Sequence, residues 1–265
     1  MKQNVLVIAF LIFTPLLCLA GDPVPHRASS SQRPAEPVKG QEGQKDQKEK
    51  KPESAAQNGQ KVPGEPVVQV DPETALRRLL DGNRRFTSNR EIHPNESAQR
   101  RILLGLAGQH PYAIVLSCSD SRVPPEMVFD AGLGDLFVVR VAGHVVDDAV
   151  IGSIEYASEH LGSKLLVVLG HEKCGAVQAA IDNQRDAHLR FLVDAIQPTV
   201  VKVKARTPPT DPRSLSDLVV WANVIEAMTT LETSEPVLAK MVSEKRLKIA
   251  GGVYHIETGR VQISQ

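Results

Sequence analysis

The sequence predicts an α/β fold in which helices flank a mainly parallel β-sheet. Two observations support this fold class. Four apolar residues in a row begin at Ala113, which is typical of a strand buried on both faces by covering helices. Strand-like and helix-like stretches then alternate along the chain, as they do in parallel sheets.

Residues 1–20 have the pattern of a secretory signal peptide. A lysine at the second position precedes an apolar run, residues 5–19, that is too short for a comfortable membrane span and ends in small residues near Ala20. An uncleaved membrane anchor and a lipid anchor at Cys18 are less favoured, the latter because Leu17 is larger than lipid-attachment sites accept. We expect export to the periplasm or extracellular space, cleavage near Ala20, and no stable membrane contact afterwards.

Residues 21–66 differ in composition from everything that follows. They are rich in Pro, Gln, Lys, Glu and Ser, contain no aromatic residue and show no apolar periodicity. Such a segment cannot bury enough apolar surface to offset the entropy lost on ordering. We expect a disordered Pro/Lys/Gln-rich tether, followed by a folded domain over residues 67–265.

The folded domain is expected to open with two helices. Asp71 suits a helix N-cap and Pro72 suits the first helical position, and leucines recur behind them at helical spacing. A second helix is predicted over residues 97–106, ahead of the first strand.

The later elements follow from the same signals of apolar runs, caps and turns. They are a short helix from Val123, a buried strand over 135–140, a helix capped by Asp147 and Asp148, a strand over 165–169, a helix from Cys174, mostly helical chain over 186–245 with a loop at 207–213, and closing strands over 248–256 and 260–264.

Polar side chains follow two of the predicted strands at the points where the strands end. Cys118, Asp120 and Arg122 come after the first strand, and His171 and Cys174 come after the strand over 165–169. Open α/β sheets bind their ligands at this edge. Two thiols, an imidazole and a carboxylate suit tetrahedral zinc. The sequence therefore predicts a zinc site at the C-terminal ends of the strands.

Two alternatives remain open for the cysteine pair. In a secreted protein, Cys118 and Cys174 could simply form a disulfide. The neighbouring His171 and Asp120 favour a metal, since a structural bridge needs neither. A closed structural zinc is the second alternative, and the surplus ion pair of Asp120 and Arg122 argues against it.

Composition argues against nucleic-acid binding. The 265-residue chain has 31 basic and 31 acidic residues and a formal net charge of zero, so no global basic field points to a polyanion. Aromatic residues make up 4%, which also weakens any interpretation based on base stacking. We expect no nucleic-acid partner.

The folded domain resembles the β-class carbonic anhydrases over nearly all of its length. The motifs that carry the resemblance occur in the family's order: GNRRF from Gly82, CSDSRVPPE from Cys118, GDLFVVRVAG from Gly134, GSIEYA from Gly152, GHEKCGAV from Gly170, and the ending from Gly252 to Gly259.

The resemblance implies a zinc enzyme that hydrates carbon dioxide reversibly to bicarbonate and a proton, with one Zn²⁺ per chain. It implies that Cys118, His171 and Cys174 bind the metal, and that Asp120 either fills or vacates the fourth position. Arg122 is expected to pair with Asp120 when that position is open. Zinc lowers the pKa of a bound water by several units, although two thiolates should make the shift smaller than three histidines would.

The resemblance also assigns the substrate-binding residues. Gln109 would help to orient the substrate, and Phe137, Ala142 and Tyr156 would line the carbon dioxide pocket, partly across a dimer interface. A homodimer or a higher even oligomer is therefore expected. Core packing is the alternative role for the three pocket residues.

Two positions depart from the family's pattern. His144 stands where members often have asparagine, and we expect it to be a surface or loop histidine rather than a proton shuttle. Val115 replaces the tryptophan of the bicarbonate-inhibited subgroup, so we expect an open site with Asp120 paired to Arg122.

Two other functions remain alternatives on the same scaffold. One is hydrolysis of a related small molecule such as carbon disulfide, and the other is a non-catalytic zinc-binding or redox-sensing module. A missing Asp120 or Arg122 would have favoured the second, and both are present. A direct assay with both gases separates the two enzymatic functions.

Overall fold

A five-stranded sheet lies at the centre of the computed structural model, which describes residues 69–206 and 214–264. Its strands are β1 (Ala113–Ser117), β2 (Leu136–Arg140), β3 (Leu165–His171), β4 (Lys248–Tyr254) and β5 (Val261–Ile263). They lie in the order β2-β1-β3-β4-β5, and only β5 runs antiparallel to its neighbour. The predicted α/β fold with a mainly parallel sheet is confirmed.

Eight α-helices accompany the sheet in the described residues. They are α1 (Pro72–Thr87), α2 (Ala98–Ala107), α3 (Pro125–Val128), α4 (Asp148–Glu155), α5 (Gly175–Ile181), α6 (Leu189–Arg206), α7 (Leu215–Glu232) and α8 (Leu238–Ser243). A 3-10 turn, Ala142–His144, follows β2, and α4 continues as a π-helical turn, Tyr156–His160. The predicted loop at 207–213, the signal peptide and the tether lie outside the described residues.

Side-chain caps fix three of the helix starts that the sequence predicts. The carboxylate of Asp71 accepts from the backbone N–H of Thr74 at the start of α1. Ser97 caps α2 and Asp147 caps α4 in the same way. Each cap satisfies a backbone donor that the first helical turn leaves free.

Apolar side chains cover both faces of the central strands. All residues of β1 and β3 are buried. Ile114 and Leu116 belong to a core cluster with α5, α6 and α7, whereas Ala113 and Val115 belong to a second cluster with α1. Continuous burial explains why these strands are apolar runs rather than alternating sequences.

β2 is less buried than its sequence predicts. Only Leu136 of its residues is buried, and Arg140 is exposed. β2 is an edge strand that pairs with β1 alone, so one of its sides has no strand neighbour. The apolar run indicated the strand, but its place at the edge follows from the topology.

The segment GNRRF holds α1 against the end of the chain. The Asn83 side chain donates to the carbonyl oxygens of Val128 and Gly259 and accepts from the backbone N–H of Val261. A Cβ at Gly82 would lie 1.8 Å from the carbonyl oxygen of Phe129, so only glycine permits this approach.

α2 buries none of its residues. Its apolar side chains Ile102, Leu103 and Leu106 are 60%, 58% and 66% exposed. In the part of the chain that the structure describes, no helix has both the length and the apolar character needed to span a bilayer.

Candidate metal centre

The parallel pairing of β1 and β3 brings the predicted ligands together. Ser117 of β1 lies opposite Leu169 of β3, so Cys118 follows β1 near the point where β3 ends in His171. Cys174 is the N-cap of α5, three residues further along. All three side chains are buried.

The ligand atoms of Cys118, His171 and Cys174 lie within 4.8 Å of one another. The two Sγ atoms are 4.0 Å apart and both cysteines are free. A disulfide has its sulfurs about 2.05 Å apart, so the bridge alternative does not describe this structure. Two Zn–S bonds of about 2.3 Å in a tetrahedral site separate the sulfurs by about 3.8 Å, which is close to the observed spacing.

The His171 ring is oriented as a metal ligand would be. Its Nδ1 donates to the carbonyl oxygen of Glu172 at 2.8 Å, which leaves Nε2 as the acceptor atom. Nε2 is buried and has no hydrogen-bond partner. A histidine whose far nitrogen is held by a backbone carbonyl is the usual arrangement of a metal ligand. The three residues therefore fit a zinc ion.

The environment of Cys118 favours its thiolate. The backbone N–H groups of Gly143 and Asp120 point at its Sγ, at 3.3 Å and 3.4 Å. A hydrogen bond from Cys174 is the largest influence and, together with His171 and these two amides, lowers the pKa of Cys118 to about 3. The same bond and burial raise the pKa of Cys174. A metal ligand must be deprotonated, so this environment favours the ligand form of Cys118, whereas Cys174 would have to lose its proton when a metal binds.

Asp120 is held by Arg122 beside the cluster. Arg122 donates Nε to Oδ1 at 2.9 Å and Nη2 to Oδ2 at 2.7 Å, and its backbone N–H also donates to Oδ1. These bonds lower the pKa of Asp120 to about 2, so the carboxylate is ionised at neutral pH. Oδ2 also lies 3.9 Å from Nε2 of His171. Of the four predicted metal residues, the structure groups three and pairs the fourth, Asp120, with Arg122.

The predicted substrate residues lie in two places. Ala142 belongs to the turn after β2 whose next residue, Gly143, contacts Cys118. Phe137 lies opposite Ile114, near the amino ends of β1 and β2, and the centroid of its ring is 6.3 Å from that of Tyr156.

Gln109 is exposed and precedes β1, which is five residues long. At about 3.3 Å per residue, β1 alone separates Gln109 from the cluster by more than about 13 Å. Within one chain, only Ala142 of the four substrate residues lies beside the metal ligands.

His144 is not the surface or loop histidine that we expected. It is 1% exposed, because the turn that contains it packs against β1, β3, α5 and α6, and the Asn223 side chain of α7 lies 2.9 Å from its Nε2. Burial lowers its pKa to about 4. The sequence gives no signal for this contact beyond a single amide among the apolar residues of α7.

Carbonic anhydrases match this chain over most of its described length. A family model described as "Carbonic anhydrase" matches residues 113–261. Carbonic anhydrase 2 of Mycobacterium tuberculosis is 40% identical over 196 residues, which cover 72% of this chain and 92% of that protein. The carbonic anhydrase of Mycolicibacterium smegmatis is 38% identical over 198 residues, which cover 73% of this chain and 93% of that protein.

The solved structures that this chain resembles belong to the β class of carbonic anhydrases. The β-carbonic anhydrase CcaA superposes with a TM-score of 0.57 at 27% identity, covering 72% of this chain and 95% of that one. The chain belongs to the β-carbonic anhydrase family. A Coccomyxa β-carbonic anhydrase, solved in complex with acetazolamide, gives a TM-score of 0.55 at 26% identity, covering 71% and 85%. The protein is thus an enzyme of carbon dioxide hydration, and its Cys/His/Cys cluster can bind a metal.

Proposed function

We propose that this β-carbonic anhydrase interconverts carbon dioxide and bicarbonate with one zinc ion per chain, held by Cys118, His171 and Cys174. The observation that supports this is the buried, unpartnered Nε2 of His171 beside two sulfurs 4.0 Å apart. Zinc in such a site supplies a Lewis acid that lowers the pKa of water towards neutrality.

Asp120 serves as the hydrogen-bond acceptor that orients the attacking water. Its carboxylate is fixed at both oxygens by Arg122 and stays ionised, so it accepts and does not donate. Holding the water's proton on one side directs a lone pair towards carbon dioxide. Arg122 is itself fixed, because its Nη2 donates to the carbonyl oxygen of Lys173.

The substrate pocket is completed by a second copy of the chain. Gln109, Phe137 and Tyr156 lie towards the amino ends of β1 and β2, and Tyr156 is 49% exposed. A two-fold axis would bring these residues of one protomer to the cluster of its partner, where Ala142 already lies. The exposed apolar side chains of α2 supply a surface that such a homodimer, or a higher even oligomer, would bury.

The enzyme is exported, with residues 1–20 removed as a signal peptide and residues 21–66 serving as a tether to the catalytic domain, residues 67–265. The support is the short apolar run with its small-residue end and the polar, Pro-rich composition behind it. No observation favours the carbon disulfide hydrolase or the non-catalytic module over carbon dioxide hydration.

Purified enzyme assayed with both gases tests the proposal directly. We expect about one zinc per chain, given three ligands in one site, and hydration of carbon dioxide without turnover of carbon disulfide. Full hydration activity in protein stripped of zinc would contradict the proposal, and so would turnover of carbon disulfide alone.

A further inference from the structure

A buried side chain on α7 reaches across the core to the turn beside the metal ligands. Asn223 donates from Nδ2 to the carbonyl oxygen of Gly143 at 3.0 Å, and the same Nδ2 lies 2.9 Å from Nε2 of His144. Asn223 is 7% exposed and His144 is 1% exposed, so water does not compete for these bonds.

The chemistry of the partners fixes the direction of both bonds. The Gly143 carbonyl can only accept, so the amide nitrogen of Asn223, and not its oxygen, must face it. The second N–H of that nitrogen then donates to Nε2 of His144, which must accept. The His144 ring is therefore neutral, with its proton on Nδ1.

The turn that Asn223 holds is conformationally demanding. Gly143 has φ +69° and His144 has φ +44°, two consecutive residues in the left-handed region. A Cβ at Gly143 would lie 2.8 Å from Cδ1 of Ile196 and 3.1 Å from Cβ of Ala176. Asn223 bonds to both residues of this strained pair, which is what a clamp on the turn requires.

The clamped residue also contacts the metal centre. Gly143 receives the Asn223 amide at its carbonyl oxygen, while its own N–H donates to Sγ of Cys118 at 3.3 Å. Amide donors to a metal-binding thiolate stabilise its charge and fix the direction of its lone pairs. The path from α7 to the metal ligand thus runs through a single glycine.

We propose that Asn223 is a positioning residue of the metal centre: by bonding Gly143 and His144 it aims the Gly143 N–H at the Cys118 sulfur. This rests on the proposed zinc site. Asn223 touches neither substrate nor metal and acts only through the turn. Loss of the clamp lets the turn relax from its left-handed conformation, which removes one donor from the thiolate.

The test compares two buried asparagines. Asn83 is a matched control, since its amide nitrogen likewise makes two buried hydrogen bonds, in its case to the carbonyl oxygens of Val128 and Gly259, and it does not contact the turn. Asn223→Leu and Asn83→Leu enzymes would be loaded with zinc, and the rate of zinc transfer to a chelator and the melting temperature would be measured. Cobalt-substituted protein adds the thiolate-to-metal charge-transfer band as a spectroscopic readout.

We expect Asn223→Leu to release zinc roughly ten-fold faster than wild type and to shift the charge-transfer band, as loss of a supporting bond around a metal site commonly does. Asn83→Leu should lower the melting temperature while keeping the wild-type release rate and band. If Asn223→Leu is recovered unfolded, Asn223→Ser, which also removes the amide donor, carries the same comparison.

Zinc release at the wild-type rate from the Asn223 variants would overturn the inference. Equal acceleration in the Asn83 and Asn223 variants would overturn it too, because that result reports general destabilisation. Wild-type protein that binds no zinc would instead refute the proposed function, so the two failures are distinguishable.

Discussion

The two ends of the central sheet are built differently. At the carboxyl ends of β1 and β3, side chains are buried and bonded from several directions, and the His171 ring is held at Nδ1. At the amino ends, Gln109 is exposed and Tyr156 is half exposed. One chain therefore brings the metal-binding residues together by itself, whereas the expected substrate residues Gln109 and Tyr156 lie away from them, which is the reason for the proposed dimer.

Removing a metal ligand should have the largest effect at the carboxyl end. Cys118→Ser or His171→Ala leaves two strong ligands, too few for a stable zinc site, so both zinc and carbon dioxide hydration should be lost. Metal content and stopped-flow hydration check this. A Cys118→Ser enzyme that keeps its zinc and full turnover would contradict the assignment of metal binding to the carboxyl ends of the strands.

Changing the ion pair should separate metal binding from turnover. Asp120→Asn replaces an acceptor-only group by an amide, so zinc should stay while hydration falls about a hundredfold or more, the usual range for a proton-handling group. Glu257→Ala is the control, since it removes a neighbouring exposed ion pair with Lys173 and should leave turnover unchanged. Zinc loss in Asp120→Asn would instead mark Asp120 as a structural ligand.

Changes at the amino end should lower kcat/KM and spare the metal. Gln109→Ala removes one substrate hydrogen bond, which is worth roughly ten-fold in rate. Mixing Gln109→Ala with Cys118→Ser protein gives heterodimers in which an intact cluster faces an intact Gln109 of the partner. Activity should therefore rise above that of either variant. Mixtures that stay at or below the Gln109→Ala level would show that Gln109 does not act across the interface.

His144 gives a smaller effect, on acid stability. Burial lowers its pKa from 6.5 to about 4. Between these two pH values the imidazole is protonated in the unfolded chain but stays neutral in the folded protein. The contribution of His144 to the free energy of unfolding is therefore complete above pH 6.5, and it falls by about 3 kcal/mol as the pH drops towards 4. His144→Asn, which tolerates the positive φ, should lack this part of the loss. The measurement is the midpoint of urea unfolding of the wild type and of His144→Asn at pH values between about 4 and 6.5. If the midpoints of the two proteins change in parallel with pH, the prediction is wrong.

The smallest effect is expected outside the described residues. Deleting residues 21–65 should leave melting temperature and turnover nearly unchanged, since a segment of that composition cannot contribute to a core. Scanning calorimetry of the shortened enzyme is sufficient, and a large fall in melting temperature would refute the interpretation as a tether.

The features that the sequence predicted well are local. Asp71 caps α1 through a residue three positions away, and Cys118 follows an apolar run directly. The features it missed depend on packing between distant segments. His144 is buried because its turn packs against β1, β3, α5 and α6, and its hydrogen-bond partner Asn223 comes 79 residues later. The exposure of β2 likewise depends on the strand order, which no residue of β2 encodes.

X-ray absorption at the zinc edge of the purified enzyme tests the central claim most directly, because it identifies the ligand atoms. Cys118, His171 and Cys174 predict two sulfurs at about 2.3 Å and a nitrogen at about 2.0–2.1 Å. A zinc shell of nitrogen and oxygen alone, with no sulfur, would contradict the account.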